Sequence, residues 1–95
     1  MLNGKQKRFL RALGTKERAI VQIGKDGLSY NICNSLNNAL TAHELVKVAL
    51  LKTSPNNVNE VAIELAANCN CEVVQIIGRN ILLYRPSSQH LITLP

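Results

Sequence analysis

Apolar positions along the chain switch between helical and alternating spacing, and each switch marks an element. Leu2, Phe9, Leu10 and Leu13 share one arc at a period of about 3.6 residues, and Lys5, Lys7, Arg8 and Arg11 share another. Residues 3–13 therefore predict an amphipathic helix, which Gly14 ends. Ala19–Ile23 is a short apolar run closed by Gly24 and predicts a strand. From Leu28 to about Thr41 helical spacing returns, with Ile32, Leu36, Ala39, Leu40 and His43 on one side and the uncharged Asn31, Asn34, Asn37 and Asn38 interspersed. In Leu45–Leu51, Val46, Val48 and Leu50 alternate with Leu45, Lys47 and Ala49, the pattern of a strand buried on one face and partly covered on the other. Ser54-Pro55 predicts a helix start, with Ser54 as N-cap and Pro55 in the first turn, where its missing N–H costs nothing. Val58, Val61, Ala62, Leu65 and Ala66 form that helix's apolar face, Glu60 and Glu64 lie outward, and Asn68–Asn70 ends it. Glu72–Ile77 and Ile81–Tyr84 flank the turn Gly78-Arg79-Asn80 and predict an antiparallel hairpin. Pro86 stops the second strand, Ser87–His90 is a polar link, and Leu91–Leu94 is a candidate docked tail.

The order is helix, strand, helix, strand, helix, strand, strand. Right-handed strand-helix-strand crossovers place the first two strands parallel, and the hairpin adds an antiparallel pair. The expectation is an α/β fold: a mixed four-stranded sheet packed with helices, in a single domain over residues 1–95 with 87–95 as a C-terminal tail. Hydrophobic residues at 46% and charged residues at 18% fit a globular chain. With no Trp and only Phe9, Tyr30 and Tyr84 as aromatics, the core must be mostly aliphatic.

Charge narrows the function. The net charge is +5, and the excess lies early. Residues 1–25 hold Lys5, Lys7, Arg8, Arg11, Lys16, Arg18 and Lys25 against Glu17 alone; beyond them Lys47, Lys52, Arg79 and Arg85 face Asp26, Glu44, Glu60, Glu64 and Glu72. The first helix carries no acid at all, although like charges one turn apart, such as Lys7 and Arg11, disfavour a helix by a few tenths of a kcal/mol, on the order of 0.3. A clustered cationic excess points to a polyanionic partner. No apolar run approaches the roughly 18 residues of a membrane span. The charged start without a signal-peptide core, together with three cysteines, predicts a cytoplasmic protein.

Candidate chemistry centres on Gly24-Lys25-Asp26-Gly27. Glycines let a second chain approach closely, free N–H groups at a helix start attract anions, and Lys25 adds a mobile charge. The arrangement suits a sugar-phosphate backbone, as the GxxG loop of KH domains does; a plain structural turn fits the same residues. Asp26 either borders that phosphate site or caps the following helix. No G-K-[ST] closes the loop, so it is not a Walker loop. Arg79 and Arg85 offer further phosphate contacts, and Tyr84 either stacks beside Arg85 or fills the core. Cys69-Asn70-Cys71 lacks the two-residue gap of zinc and thioredoxin motifs, and Cys33 reads as core. His43-Glu44 has no accompanying nucleophile or second carboxylate. Neither an enzyme, nor a metal, nor a cofactor has positive support.

Taken in order, LNGKQKRFLRALG, VQIGKDGLS, AHELVKVAL, VVQIIGRNILLYRP and ITLP resemble the YhbY family of small bacterial proteins, single copies of the CRM domain (chloroplast RNA splicing and ribosome maturation). The resemblance spans nearly the whole chain. It implies a fold similar to the C-terminal domain of translation initiation factor three. It also implies RNA binding, with precursors of the large ribosomal subunit as the bacterial target. By the same resemblance the RNA contacts are Gly24, Lys25, Asp26 and Gly27 of the GxxG loop and Lys5, Lys7, Arg8 and Arg11 of the basic helix. The family often has a small or basic residue where Asp26 stands. The function expected is an RNA-binding monomer that assists large-subunit assembly. The alternatives are an adaptor that meets an acidic protein through the same basic face, and a redox protein using Cys69 and Cys71.

Overall fold

In a computed structural model that describes residues 2–95, these spacings resolve into α1 (Gly4–Gly14), β1 (Ala19–Ile23), α2 (Tyr30–His43), β2 (Leu45–Leu50), α3 (Val58–Cys69), β3 (Glu72–Ile77) and β4 (Asn80–Tyr84). The four strands form one mixed sheet in the order β1-β2-β4-β3. β1 and β2 run parallel, as the α2 crossover requires, with Ile23 opposite Leu50. β4 runs antiparallel to both β2 and β3.

Alternation along β2 sorts the sheet into two faces. Val46, Val48 and Leu50 join Val21, Ile23, Ile81 and Leu83 beneath Leu36 and Leu40 of α2 and Val61, Ala62 and Leu65 of α3. Leu45 joins Val74, Leu82 and Tyr84 on the other face, beneath Leu10 of α1, with Leu2, Ile92 and Leu94 packed alongside. The larger core therefore lies under two helices. The smaller one lies under α1 and the C-terminal tail.

Three local expectations are corrected. α2 begins at Tyr30 rather than Leu28, because Ser29 caps it: its Oγ accepts from Ile32 N at 3.3 Å. α3 begins at Val58 rather than at Ser54-Pro55. Asn57 is its cap, and its side chain accepts from Asn59 N at 2.8 Å. Ser54 Oγ instead accepts from Asn56 N within a separate turn. Two good capping sites compete here, and the helix starts where its apolar face begins. Finally, α1 is rotated from the expected arc. Its buried stripe is Leu10 and Gly14, while Phe9 and Leu13 remain 38% and 37% exposed. A Cβ at Gly14 would lie 2.5 Å from Leu82 Cδ2, so this glycine sets how closely the helix end approaches the sheet. At 100° per residue, Lys7 and Arg11 lie on one flank of the stripe and Phe9 and Leu13 on the other.

Glu44 and Arg85 hold the ends of the two central strands. They are linked by their backbones, Arg85 N donating to Glu44 O at 2.9 Å. Their side chains diverge. Arg85 donates to Asn37 Oδ1, Asn37 O, Thr41 Oγ1 and Cys69 O, joining the last turns of α2 and α3. Glu44 is fully buried and sits at a positive φ of 66° as the C-cap of α2. Its carboxylate accepts from Ser87 N, Ser87 Oγ, Leu91 N and Ile92 N, which fastens the tail. Burial opposes the charge, but these donors outweigh it and lower the Glu44 pKa from 4.5 to about 2.

Two outcomes follow for stability. Arg85→Lys removes the planar fork and leaves half-buried carbonyls short of a donor, so denaturant midpoints should report a loss of about 1–2 kcal/mol. For Glu44 the folded pKa lies below the unfolded value, so its contribution is complete above pH 4.5 and disappears as pH falls through about 2. Urea midpoints measured across that window should fall with acid in the native protein, and Glu44→Gln should flatten that part of the profile.

Candidate nucleic-acid interface

The register places several loops at one end of the sheet. Ile23 lies opposite Leu50, Ala49 opposite Asn80 and Ile77 opposite Asn80. The loop after β1, the loop after β2 and the β3–β4 turn therefore share that end, carrying Lys25, Lys52 and Arg79. α1 starts at the opposite end, where Leu2 N donates to Glu72 Oε1, and its C-terminus reaches Leu82. Lys5 to Arg11 spans about 9 Å of helix at about 1.5 Å per residue. The cations thus form a strip along α1 that leads toward the loop end.

The GxxG segment is a closed turn, with Gly27 N donating to Gly24 O at 3.0 Å. Its glycines are not equivalent. Gly27 has φ +67°, and a Cβ there would come within 2.5 Å of Asn56 Oδ1. Gly24 has no such strain, and an added Cβ would meet only Leu51 Cδ1 at 3.6 Å and Thr53 Oγ1 at 3.9 Å. Gly27 is thus the position where the loop after β1 presses on the loop after β2. Lys25 and Asp26 occupy the exposed apex. Asp26 is not the cap of α2, since Ser29 fills that place, and Leu28-Ser29 separates the turn from the helix.

Lys5 and Arg8 are exposed, whereas Lys7 and Arg11 are half-buried against the sheet. Among the described residues none of these cations, nor Lys25, is ion-paired to a carboxylate. Glu60 and Glu64 are exposed on α3, across the sheet from α1. The basic and acidic surfaces therefore stand on opposite layers.

Arg85 is separated from the strip. Both its terminal nitrogens already bond inside the protein. Arg79 stays at the loop end, but its Nε donates to Leu50 O at 3.0 Å and one terminal nitrogen to Leu51 O at 2.8 Å. Half of its fork therefore supports the β2 exit. Tyr84 belongs to the core, and burial pushes its hydroxyl pKa up. The aromatic that sequence reasoning missed is Tyr30, the first residue of α2, which is 80% exposed. At 100° per residue Tyr30 falls well off the arc of Ile32, Leu36 and Leu40, and that spacing is the signal that identifies it.

Cys69 and Cys71 are poor nucleophiles. Burial pushes the Cys71 thiol up to about 11 and also raises that of Cys69. Their sulfurs donate to Leu65 O and Cys33 O. Among the described residues no cluster of three His, Cys, Asp or Glu side chains could hold a metal, and no helix is long and apolar enough to cross a membrane.

The model of the CRS1/YhbY (CRM) domain matches residues 2–85. The chain belongs to the CRS1/YhbY family. The chain is similar to the probable RNA-binding protein YqeI of Bacillus subtilis, 40% identical over 95% of this chain and 94% of the relative. An RNA-binding protein of Haemophilus influenzae is 33% identical over 99% of this chain and 95% of its own length. A Staphylococcus aureus protein, solved in solution and described as a candidate RNA-binding protein, is 40% identical and superposes over all of both chains with a TM-score of 0.85.

The contrast between the glycines is testable. Gly27→Ala should lower stability by about 1–2 kcal/mol, the scale of forcing a side chain into the left-handed region. Gly24→Ala should leave the thermal midpoint nearly unchanged.

Proposed function

We propose that this CRM-domain protein binds RNA as a monomer in the cytoplasm, without catalysis, and assists assembly of precursor large ribosomal subunits. The observation that carries the reading is the segregation of charge: an unpaired cationic strip on α1 leads toward a glycine turn, while the exposed acids of α3 occupy the opposite layer. The names of the relatives support RNA as the partner. The ribosomal target follows from the resemblance to YhbY proteins.

In this reading Lys5 and Arg8, with Lys7 and Arg11 behind them, meet phosphates along α1. Lys25 meets one at the turn, where Gly24 and Gly27 keep side chains out of the way. Asp26 at the same apex repels phosphate and limits how closely the strand approaches there. Arg79 contributes through its remaining donors. Arg85 contributes indirectly, by holding α2 and α3 in place. Tyr30 offers an exposed ring beside the turn for an unpaired base to stack on, which is a common source of affinity for single strands.

Neutralising about four phosphates should give a log–log salt slope of about −3 on single-stranded RNA. Lys25→Ala combined with Arg8→Ala should weaken binding to structured ribosomal RNA, reduce that slope by about 1.4 and leave the thermal midpoint in place. Unchanged affinity at low salt would reject this surface. Crosslinking in cells, followed by sequencing of the attached RNA, should return large-subunit precursor sequences.

A further inference from the structure

α1 covers only part of its face of the sheet. Beyond its C-terminus lies a shallow cleft of about 130 Å3, lined by Gly14, Thr15, Lys47, Gln75, Ile77, Asn80 and Leu82. Register explains how these residues meet. Lys47 and Gln75 both lie opposite Leu82, so the three form one row across β2, β4 and β3. Asn80 and Ile77 form the next row toward the loop end. The end of α1 supplies a wall because Gly14 lets it sit directly on Leu82.

The chemistry of the lining is mixed in a specific way. Leu82 gives an apolar floor, and Ile77, 61% exposed, an apolar rim. Among the described residues, the Lys47 ammonium and the Gln75 and Asn80 amides have no hydrogen-bond or ion-pair partner. Thr15 Oγ1 donates to Ala12 O and keeps its acceptor capacity. A ligand that fits must be flat and apolar on its faces, and carry both donors and acceptors on its edge. Drug-sized ligands need roughly 300–1,000 Å3, so the cleft holds about one ring system. The surrounding cations of α1 and Arg79 favour a ring attached to a phosphate chain.

We propose that this cleft binds a single unpaired nucleobase of an RNA strand, with Gln75 and Asn80 reading its edge and Lys47 meeting a carbonyl oxygen or the adjoining phosphate. The inference rests on the RNA-binding function proposed above and adds a base-contacting site to its phosphate-contacting strip. It gives the domain a means to prefer single-stranded over fully paired RNA, because a base held in a helix has no free edge to insert.

The test uses the full chain, a fluorescent single-stranded RNA, and an abasic ribose-phosphate oligomer of equal length. Gln75→Ala combined with Asn80→Ala should weaken binding of the RNA about tenfold, the scale of one or two lost hydrogen bonds. It should leave the salt slope and the affinity for the abasic oligomer unchanged. In the native protein the side-chain amide NMR signals of Gln75 and Asn80 should shift with the RNA and stay still with the abasic oligomer, a readout that does not depend on the variant folding. Equal affinity of variant and native protein for the RNA, or amide signals that ignore the bases, would overturn the base site while leaving the phosphate strip intact. Shifts produced equally by free mononucleotide and by an acidic peptide would overturn it as a nucleobase site. If Arg8→Ala with Lys25→Ala changes neither affinity nor slope, the phosphate surface fails instead; if the native protein binds neither oligomer at low salt, both proposals fail.

Discussion

The fold depends on how two neighbouring charged residues, Glu44 fully buried and Arg85 half-buried, are held without pairing to each other. Glu44 and Arg85 share a backbone hydrogen bond where β2 begins and β4 ends. Arg85 spends its fork on α2 and α3, and Glu44 spends its carboxylate on the tail. The Glu44 charge is desolvated and the Arg85 charge partly so, and each is compensated by backbone, hydroxyl or amide dipoles held in place by other elements. One junction therefore ties together both layers and the tail. The positive φ of Glu44 is the local strain accepted for placing its carboxylate there.

With that end closed by internal bonds, the opposite end is left for loops. There the GxxG turn, the β2 exit and the hairpin turn come together because the strand register leaves them no other place. Gly27 lets the first two loops touch. Arg79 fastens the hairpin turn to the β2 exit. The cationic strip on α1 and the uncovered row of Lys47, Leu82 and Gln75 border this same end. The proposed phosphate and base contacts thereby fall on adjoining surfaces, and the acidic helix α3 is kept on the far layer.

Much of the architecture was legible in the chain. The switch of period at Leu45, the Gly78-Arg79-Asn80 turn and the basic face of residues 5–11 were plain. Sequence and structure part where several local solutions are equally good. Ser54-Pro55 and Asn57 both cap well, and the choice depended on where Val58 met the core. Hydrophobicity alone puts Phe9 and Leu13 on the α1 arc, yet Gly14 rather than either of them faces the sheet, because a close approach to Leu82 excludes a side chain there. Arg79 and Arg85 look alike in sequence as surface cations. Only the positions of distant acceptors show that Arg85 has both terminal nitrogens bonded whereas Arg79 has one.

By itself the sequence determined the element order, the mixed sheet and the uneven placement of charge, because period, turn chemistry and net charge are local or additive. Tertiary structure decided which cations stay available, which aromatic is exposed, and which polar side chains share a cleft. Those outcomes depend on partners far apart in the chain, such as Asn37 and Arg85, forty-eight residues apart, and spacing along the chain carries no record of such pairings.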